Sequence, residues 1–311
     1  MSLFLGYRSA YEYWCFYSKS TNTAVPKIKP TNPNAFFKNS PKTNEIQDLF
    51  KRYPFISPPI HLLVANEKLK RNIQNAICHK VGASFIPKSF TKLSSNLYIS
   101  SPEACFLQLA SEKTFEEILL LGFELCGTYA GGLFDQLSYD CAQRTSWKLL
   151  CSYIDKTHNS HGKHKASLAL PYVCDKSASP MESKLTLLLC LPPKYGGYGL
   201  PKPQMNYPIY DNGKELYRCD LCWLNEKLAI EYDSHLFHSS REKQSLDSRR
   251  RIAIEQHGFH VISVTKQQVY NLQAFSEFAN VIARYLKRKI RIRYKDFYVR
   301  QQKLRANLLF K

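Results

Sequence analysis

Long hydrophobic runs are missing from this chain of 311 residues. None of its apolar stretches approaches the ~20 residues that a helix needs to cross a bilayer, and the first residues do not follow a signal-peptide pattern. A basic amphipathic helix with a clear apolar face, typical of proteins that lie on membranes, is also missing. We therefore expect a cytoplasmic protein without a membrane partner.

A cysteine framework is missing too. The ten cysteines are scattered singly through apolar runs, without the regular spacing of a disulfide-rich secreted protein. Cys219 and Cys222 form a C-x-x-C pair, but residues three apart on a strand point to opposite faces, and no second pair stands at zinc-ribbon spacing. We expect reduced, mostly buried thiols, and a zinc or redox site at this pair is the weaker alternative.

Acidic residues are few. The chain has 44 Lys and Arg against 25 Asp and Glu, a formal net charge of +19. A basic surplus of this size indicates a phosphate-rich partner. DNA is the partner that we expect, with RNA as the alternative.

The residues from Tyr217 to Asp233 have the pattern of a β-hairpin. Apolar and polar residues alternate on both sides of Asn225-Glu226, a polar pair with the chemistry of a tight turn. A turn centred there sets Asp220 opposite Glu231, where two carboxylates can share one hard cation. The other face, with Cys219, Leu221, Trp223, Leu228, Ile230 and Tyr232, is the predicted core side. A solvated sheet surface is the plain alternative for the two acids.

The order of elements around this hairpin resembles a known nuclease fold. A helix is predicted to begin at Asp247 and to end at Gly258, and the strand Val261–Val264 follows it. Strand, strand, helix and strand in this order, with acids at 220 and 231, resemble the PD-(D/E)xK nuclease superfamily, in particular endonuclease-like domains related to very-short-patch repair enzymes. The resemblance covers about residues 177–286.

The resemblance implies a Mg²⁺ or Mn²⁺ site. Asp220, Glu231 and the strand carbonyl of Tyr232 would hold the ion, which would polarise the scissile phosphate. His238 lies where relatives often place a histidine, and its usual pKa suits a base or a ligand. Glu182 matches a glutamate that such nucleases often carry on the helix before the hairpin. Ser179 and Glu182 also have the spacing of a helix capping box, which is sufficient for helix initiation.

One position departs from the family pattern. Asp233 stands where the superfamily has a lysine, and an aspartate cannot take the role of that lysine in assisting the water or offsetting charge. Asp233 can instead pair with Arg218 across the hairpin. The middle region, which begins at Ser101-Pro102-Glu103, is also similar to abortive-infection type antitoxin and regulator proteins. Two functions therefore stay open: a Mg²⁺-dependent DNA endonuclease, and an inert nuclease fold that binds DNA as a regulator or antitoxin-like protein.

Several polar side chains are candidates for phosphate contact. Arg250 and Arg251 share a predicted helix with Asp247, and an arginine fork there can clamp phosphate. Gln268 matches a polar position that relatives often place on the next helix. The segment 287–311 has ten Lys and Arg and one acid, which predicts salt-sensitive binding. Its candidates are Lys287, Arg288, Arg291 and Arg293.

The domain pattern predicts an α+β chain. We expect a small mixed domain over 1–100, a helical region over 101–170, a nuclease-like domain over 177–286 and a basic tail over 287–311. The nuclease-like domain would be three-layered, with a mixed central sheet. Ser101 and Pro102 predict a helix start, His61–Val64 a buried strand, Asp140–Ile154 a helix, and Ala274–Leu286 a helix with an apolar face.

Overall fold

The computed structural model describes residues 2–20, 40–81, 88–132, 136–211, 213–233, 252 and 254–310. The chain forms two compact units, Met1–Val173 and Cys174–Lys311. The predicted segments 1–100 and 101–170 both lie in the first unit, and 177–286 and 287–311 lie in the second. Both units combine helices with a mixed sheet, so the predicted α+β class is confirmed.

The first unit contains a five-stranded sheet in the order β3-β2-β1-β5-β4. β1 pairs parallel with β5 and antiparallel with β2, so the sheet is mixed. Its strands are β1 Leu3–Leu5, β2 Ile60–Val64, β3 Ala76–Lys80, β4 Phe90–Ser94 and β5 Leu97–Ser100. Its helices are α1 Tyr7–Ser20, α2 Thr43–Arg52, α3 Pro102–Glu112, α4 Phe115–Leu125, α5 Trp147–Lys156 and α6 Lys163–Ala169.

Local signals fix several of these boundaries. The Ser101 hydroxyl accepts the N–H of Ala104 at 3.2 Å, and Pro102 occupies the first helical position, as predicted for α3. The predicted strand His61–Val64 lies within β2 and is buried except at His61. Serine capping and apolar burial are short-range and strong, so the sequence predicts both features well.

The predicted helix over Asp140–Ile154 begins later, at Trp147. The segment before Trp147 makes tertiary contacts and is not helical. In it, the guanidinium of the buried Arg144 donates hydrogen bonds to the backbone oxygens of Glu124 and Tyr129. The Ser146 hydroxyl then accepts the N–H of Leu149 and starts the helix. A buried arginine held by distant carbonyls is a tertiary effect that overrides local helix propensity.

The second unit contains a four-stranded sheet in the order β6-β7-β8-β9. β7 pairs antiparallel with both β6 and β8, and β9 pairs parallel with β8. The strands are β6 Gln204–Asp211, β7 Lys214–Trp223, β8 Leu228–Asp233 and β9 His260–Thr265. The helices are α7 Pro180–Cys190, α8 Lys266–Tyr270, α9 Leu272–Tyr285 and α10 Phe297–Leu309. Ile252 and residues 254–256 are also helical.

The hairpin of β7 and β8 has the predicted register. Leu221 pairs with Ile230 and Trp223 with Leu228, which centres the turn on Asn225-Glu226. The sequence did not predict β6, which adds a third strand to the hairpin through pairs such as Met205 with Leu221.

The segment 287–311 ends in a packed helix. α10 buries Phe297, Leu304 and Leu308, and the Arg305 side chain donates to the carbonyl of Val269 at 2.6 Å. Only the residues from Lys287 to Asp296 fit the expected basic tail, apart from the half-buried Ile290. The predicted apolar face of α9 is confirmed, since Phe275, Phe278 and Ile282 are buried.

Each helix in the described ranges is too short or too polar to traverse a lipid bilayer. All ten cysteines lie in described positions as free thiols, and eight of them are buried.

Candidate functional site

Glu182 is fixed at the start of α7. The Ser179 hydroxyl accepts the N–H of Glu182 at 3.2 Å, as a helix cap should. The predicted capping box would also bring the Glu182 carboxylate back to the N–H of Ser179, but that carboxylate accepts the N–H of Ala178 at 2.9 Å. The same oxygen, Oε2, accepts from Nδ2 of Asn206 at 2.6 Å. The buried Glu182 side chain is therefore locked toward β6.

Asn206 is a site residue that the sequence analysis missed. It has a left-handed φ of 48° within β6, a conformation that asparagine tolerates better than most residues. Its neighbours Met205 and Tyr207 pair with Leu221 and Cys219 of β7, so Asn206 stands opposite Asp220. An asparagine inside an apolar strand is the one signal that the sequence offered.

Asp220 joins β7 to the segment of β8 that carries Glu231. Oδ2 of Asp220 accepts the backbone N–H of Tyr232 at 2.8 Å. The regular pairing of the two strands ends one step earlier, at Leu221 and Ile230, so the Asp220 side chain extends the hairpin by one hydrogen bond. The two hairpin acids therefore lie close together, as the predicted register requires.

Glu231 continues the same row of side chains into β9, where its register partner is Ser263. The Oε1 atom of Glu231 is closed off from solvent, whereas Ser263 is exposed. Neighbouring strands thus place four polar residues at one level of the sheet, and α7 adds Glu182 beside them. The members of this acid row, in strand order, are Asn206, Asp220, Glu231 and Ser263.

The electrostatics of Glu182 and the acid row beside it favour either a bound cation or a proton retained on Glu182. Burial, followed by the charge of nearby Asp220, raises the pKa of Glu182 from its usual 4.5 to about 7. Three carboxylates and a backbone carbonyl are the oxygen ligands that Mg²⁺ and Mn²⁺ prefer, so the donor chemistry fits such an ion. Within the described residues, however, no three His, Cys, Asp or Glu side chains are already arranged to hold a metal.

Apolar residues adjoin the acids on the same face of the sheet. Cys222, Ala229 and Val261 follow one another across β7, β8 and β9, and they form a buried cluster with Ile254 and Phe259. The alternative of a solvated sheet surface is therefore wrong for this part of the face, because Ile254 and Phe259, which precede β9, pack against it. The acids consequently sit in partly desolvated surroundings, which strengthens charge interactions.

The remaining hairpin candidates lie at the same end of the sheet. Asp233 is half-buried and pairs in register with Thr265. Arg218, its predicted ion-pair partner, binds Glu215 through two hydrogen bonds of 2.6 and 3.1 Å. Gln268 accepts the N–H of Thr265 at 3.0 Å in a capping box and has an exposed side chain.

Other predicted residues lie elsewhere. His238, Arg250 and Arg251 fall outside the described residues. Lys287, Arg288, Arg291 and Arg293 are exposed in the segment between α9 and α10. The backbone N–H groups of Lys287 and Arg288 donate to the carbonyls of Arg284 and Ala283, which caps α9 with cationic residues.

The first unit contains a row of neighbouring ionisable side chains that the sequence analysis did not predict. Nδ1 of His61 lies 2.8 Å from Nε2 of His79, and Nδ1 of His79 lies 3.6 Å from a carboxylate oxygen of Glu112. The Tyr7 ring stacks on His79 at a centroid distance of 3.8 Å. These residues come from β2, β3, α3 and α1, so only the fold brings them together.

No family model and no solved structure matches the chain. It is similar to uncharacterized protein Rv2248 of Mycobacterium tuberculosis strain H37Rv and to uncharacterized protein MT2308 of strain CDC 1551, each 29% identical over 100 residues. The aligned part is 32% of this chain and 35% of each relative, so the chain spans about a third of the length of these relatives.

Proposed function

We propose that the second unit is a Mg²⁺- or Mn²⁺-dependent endonuclease that hydrolyses DNA phosphodiester bonds. The observation that carries this proposal is the position of Asp220, whose side chain binds the β8 segment that carries Glu231 and whose charge acts on Glu182 of α7. Burial, and then repulsion by the charge of Asp220, make a charged Glu182 unfavourable and raise its pKa. A divalent cation relieves that repulsion, so the arrangement suits a metal-dependent hydrolase.

The proposed roles follow from position. Asp220, Glu231 and the Tyr232 carbonyl would hold the ion, whose charge would polarise a phosphodiester and lower the pKa of water. Glu182, with a pKa of about 7, can accept a proton from water near neutral pH. Asn206 positions Glu182 through its 2.6 Å hydrogen bond. Basic side chains of 287–293 neutralise DNA phosphates.

The strand order supports the same proposal. Two antiparallel hairpin strands, helical residues and then a strand parallel to the second of them follow one another in the second unit. This is the order on which the resemblance to PD-(D/E)xK nucleases rests. The +19 net charge supports a nucleic-acid substrate.

An inert DNA-binding regulator, antitoxin-like in its middle region, is the second candidate function. The observation that favours it is Asp233, which stands at the position of the superfamily lysine and adds negative charge near Thr265. A regulator of this kind would bind DNA without cutting it. Plasmid nicking and metal binding, measured together, separate the two functions.

The test is plasmid nicking in Mg²⁺ and Mn²⁺, with metal binding by calorimetry on the same preparations. Asp220→Asn and Glu231→Gln remove charge at nearly constant shape, and both should abolish nicking and weaken metal binding while DNA binding persists. Glu226→Gln, an exposed acid in the turn of the same hairpin, is the matched control and should nick like the parent.

Three outcomes would contradict the proposal of a DNA endonuclease. Nicking by both acid variants at the parent rate would mean that the site is elsewhere. DNA binding without metal uptake or nicking in any preparation would favour the regulator. Cleavage of RNA but not of the DNA of the same sequence would transfer the activity to RNA, through a requirement for the 2′-OH.

A further inference from the structure

Two distant segments of the second unit meet at one surface. The turn Pro193–Tyr195 packs against α10, and Nη1 of Arg300 donates to the carbonyl of Lys194 at 2.8 Å. Gly196 permits this contact: it has a φ of 93°, and a Cβ there would lie 2.5 Å from the carbonyl oxygen of Arg300. The turn Pro193–Tyr195 and the helix α10 of the segment 287–311 are therefore parts of one structure.

Cations and aromatic rings alternate on this surface. The Arg300 guanidinium lies 5.2 Å from the centroid of the Tyr294 ring, and Nζ of Lys194 lies 4.8 Å from that of Tyr195. Nε of Arg300 donates to both carboxylate oxygens of Asp296 at 2.9 Å. Because the guanidinium is held in place, the Tyr294 ring beside it is positioned before any ligand arrives, which lowers the entropy cost of binding.

The surface is open to solvent and basic. Tyr294 is 43% exposed, and the cations Lys194, Arg293 and Lys295 are exposed as well. Asp296 is the one acid between Lys287 and Lys311. A ring with an exposed face among cations suits a ligand that alternates flat bases with phosphates.

We propose that the stacking surface, formed by Lys194, Tyr195, Tyr294 and Arg300, binds single-stranded nucleic acid by stacking an unpaired base on Tyr294. In a duplex the base faces are covered by their neighbours, so a tyrosine at the surface meets only edges and phosphates. A single strand offers free base faces to the ring and phosphates to Lys194, Arg293 and Lys295. The inference rests on the proposed nucleic-acid function and narrows its substrate to DNA with unpaired bases, such as single strands, flaps or junctions.

The test is fluorescence anisotropy of the full chain with a labelled DNA strand of about 15 nucleotides. The same strand in a duplex is the comparison, and EDTA in the buffer prevents cleavage. Tyr294→Ala should lower the affinity for the single strand about 5- to 100-fold, the range of one base–aromatic stack, and should affect the duplex much less. Tyr294→Phe keeps the ring face and should bind like the parent.

A matched control is available in the same unit. Tyr210→Ala removes a tyrosine of β6 that is 54% exposed, and it should leave both affinities unchanged. Unchanged unfolding temperatures would show that the variants fold.

Equal losses on single strand and duplex, or no loss in Tyr294→Ala, would overturn the proposal. Binding to anionic phospholipid vesicles without binding to the single strand would also overturn it. Failure of the nuclease proposal looks different, because it shows as a lack of nicking by the parent and leaves the dependence of single-strand affinity on Tyr294 unchanged. Tyr294-dependent binding without cleavage would thus support the surface and reject the nuclease.

Discussion

At the scale of single residues, the Glu182 carboxyl should set the pH dependence of the second unit. Its pKa is 4.5 when unperturbed and about 7 in the fold, so the folded state binds more protons than the unfolded state between these values. The free energy of unfolding therefore falls as pH rises through this window, and the full loss of stability is reached above pH 7. Glu182→Gln should stabilise the unit at about pH 8 by an amount on the order of 1–3 kcal/mol, and should change little at about pH 5.

The glutamine keeps the native contacts, since one carbonyl oxygen can accept from both Ala178 and Asn206 as Oε2 does now. Thermal unfolding at the two pH values measures the effect. Added Mg²⁺ should raise the unfolding temperature of the parent at the higher pH and should have less effect on the variant. A variant that is destabilised equally at both pH values would contradict a charge-based origin.

His61 and His79 predict the opposite pH dependence for the first unit, whose stability should rise with pH. Burial lowers the pKa of each from 6.5 to about 4, helped by the charge of Arg8 at His61 and of His61 and then Lys70 at His79. The folded state thus binds fewer protons than the unfolded state between pH 4 and 6.5. Stability is complete above 6.5 and is lost as pH falls toward 4.

The 2.8 Å contact between the two rings agrees with this direction, because one nitrogen must keep its lone pair to accept the hydrogen bond. Replacing both residues with asparagine should flatten the fall in unfolding temperature between pH 6.5 and 4.5. His158→Asn, an exposed histidine of the same unit, should leave the fall unchanged. Equal flattening by the control would place the titration elsewhere.

At the scale of elements, Gly196 decides how α10 docks. An added Cβ would meet both the left-handed backbone and the carbonyl of Arg300 at 2.5 Å. Gly196→Ala should therefore cost more than about 2 kcal/mol of unfolding free energy. Gly213→Ala is the control: its φ is 78°, but its Cβ would meet no described atom within 4 Å, so backbone strain alone applies at about 1 kcal/mol.

Denaturant unfolding measures both costs, and limited proteolysis at α10 shows where the damage lies. Gly196→Ala should speed cleavage within 297–309, and Gly213→Ala should not. Similar losses of unfolding free energy in the two variants would mean that the close contact with the Arg300 carbonyl adds nothing to the cost of backbone strain.

Local chemistry explains which elements the sequence predicts. Ser101, Ser179 and the Asn225-Glu226 turn act within a few residues, so their caps and the hairpin register follow from the sequence. The pairing of Asp220 with the Glu231 segment then follows from the register. Such features depend on spacing alone, and spacing is visible before folding.

Other parts of the site depend on distant contacts. Asn206 lies opposite Asp220 only because β6 pairs with β7. Its role in the site depends on a hydrogen bond to Glu182, which comes from α7. The helix α5 begins later than predicted because Arg144 donates hydrogen bonds to the backbone carbonyls of Glu124 and Tyr129, which lie earlier in the chain. His61 and His79 meet through parallel strands. No local pattern encodes these meetings, so the sequence alone could not predict them.

At the scale of the whole molecule, the net charge of +19 raises the question of whether binding is diffuse or directed. Diffuse attraction would draw on cations anywhere in the chain, whereas a directed site depends on the exposed group Lys287, Arg288, Arg291 and Arg293. Counterion release separates these cases, because each neutralised phosphate adds about 0.9 to the slope of log affinity against log salt.

Replacing those four residues with glutamine should lower the slope for duplex DNA by up to about 3–4, with the largest loss of affinity at low salt. The control removes the same charge from exposed positions of the first unit, through Lys51, Arg52, Lys68 and Arg71, and should leave the slope nearly unchanged. Anisotropy titrations across a salt series measure both. Equal reductions would mean that the chain binds DNA through its overall charge, and that the segment after α9 is only one contributor among many.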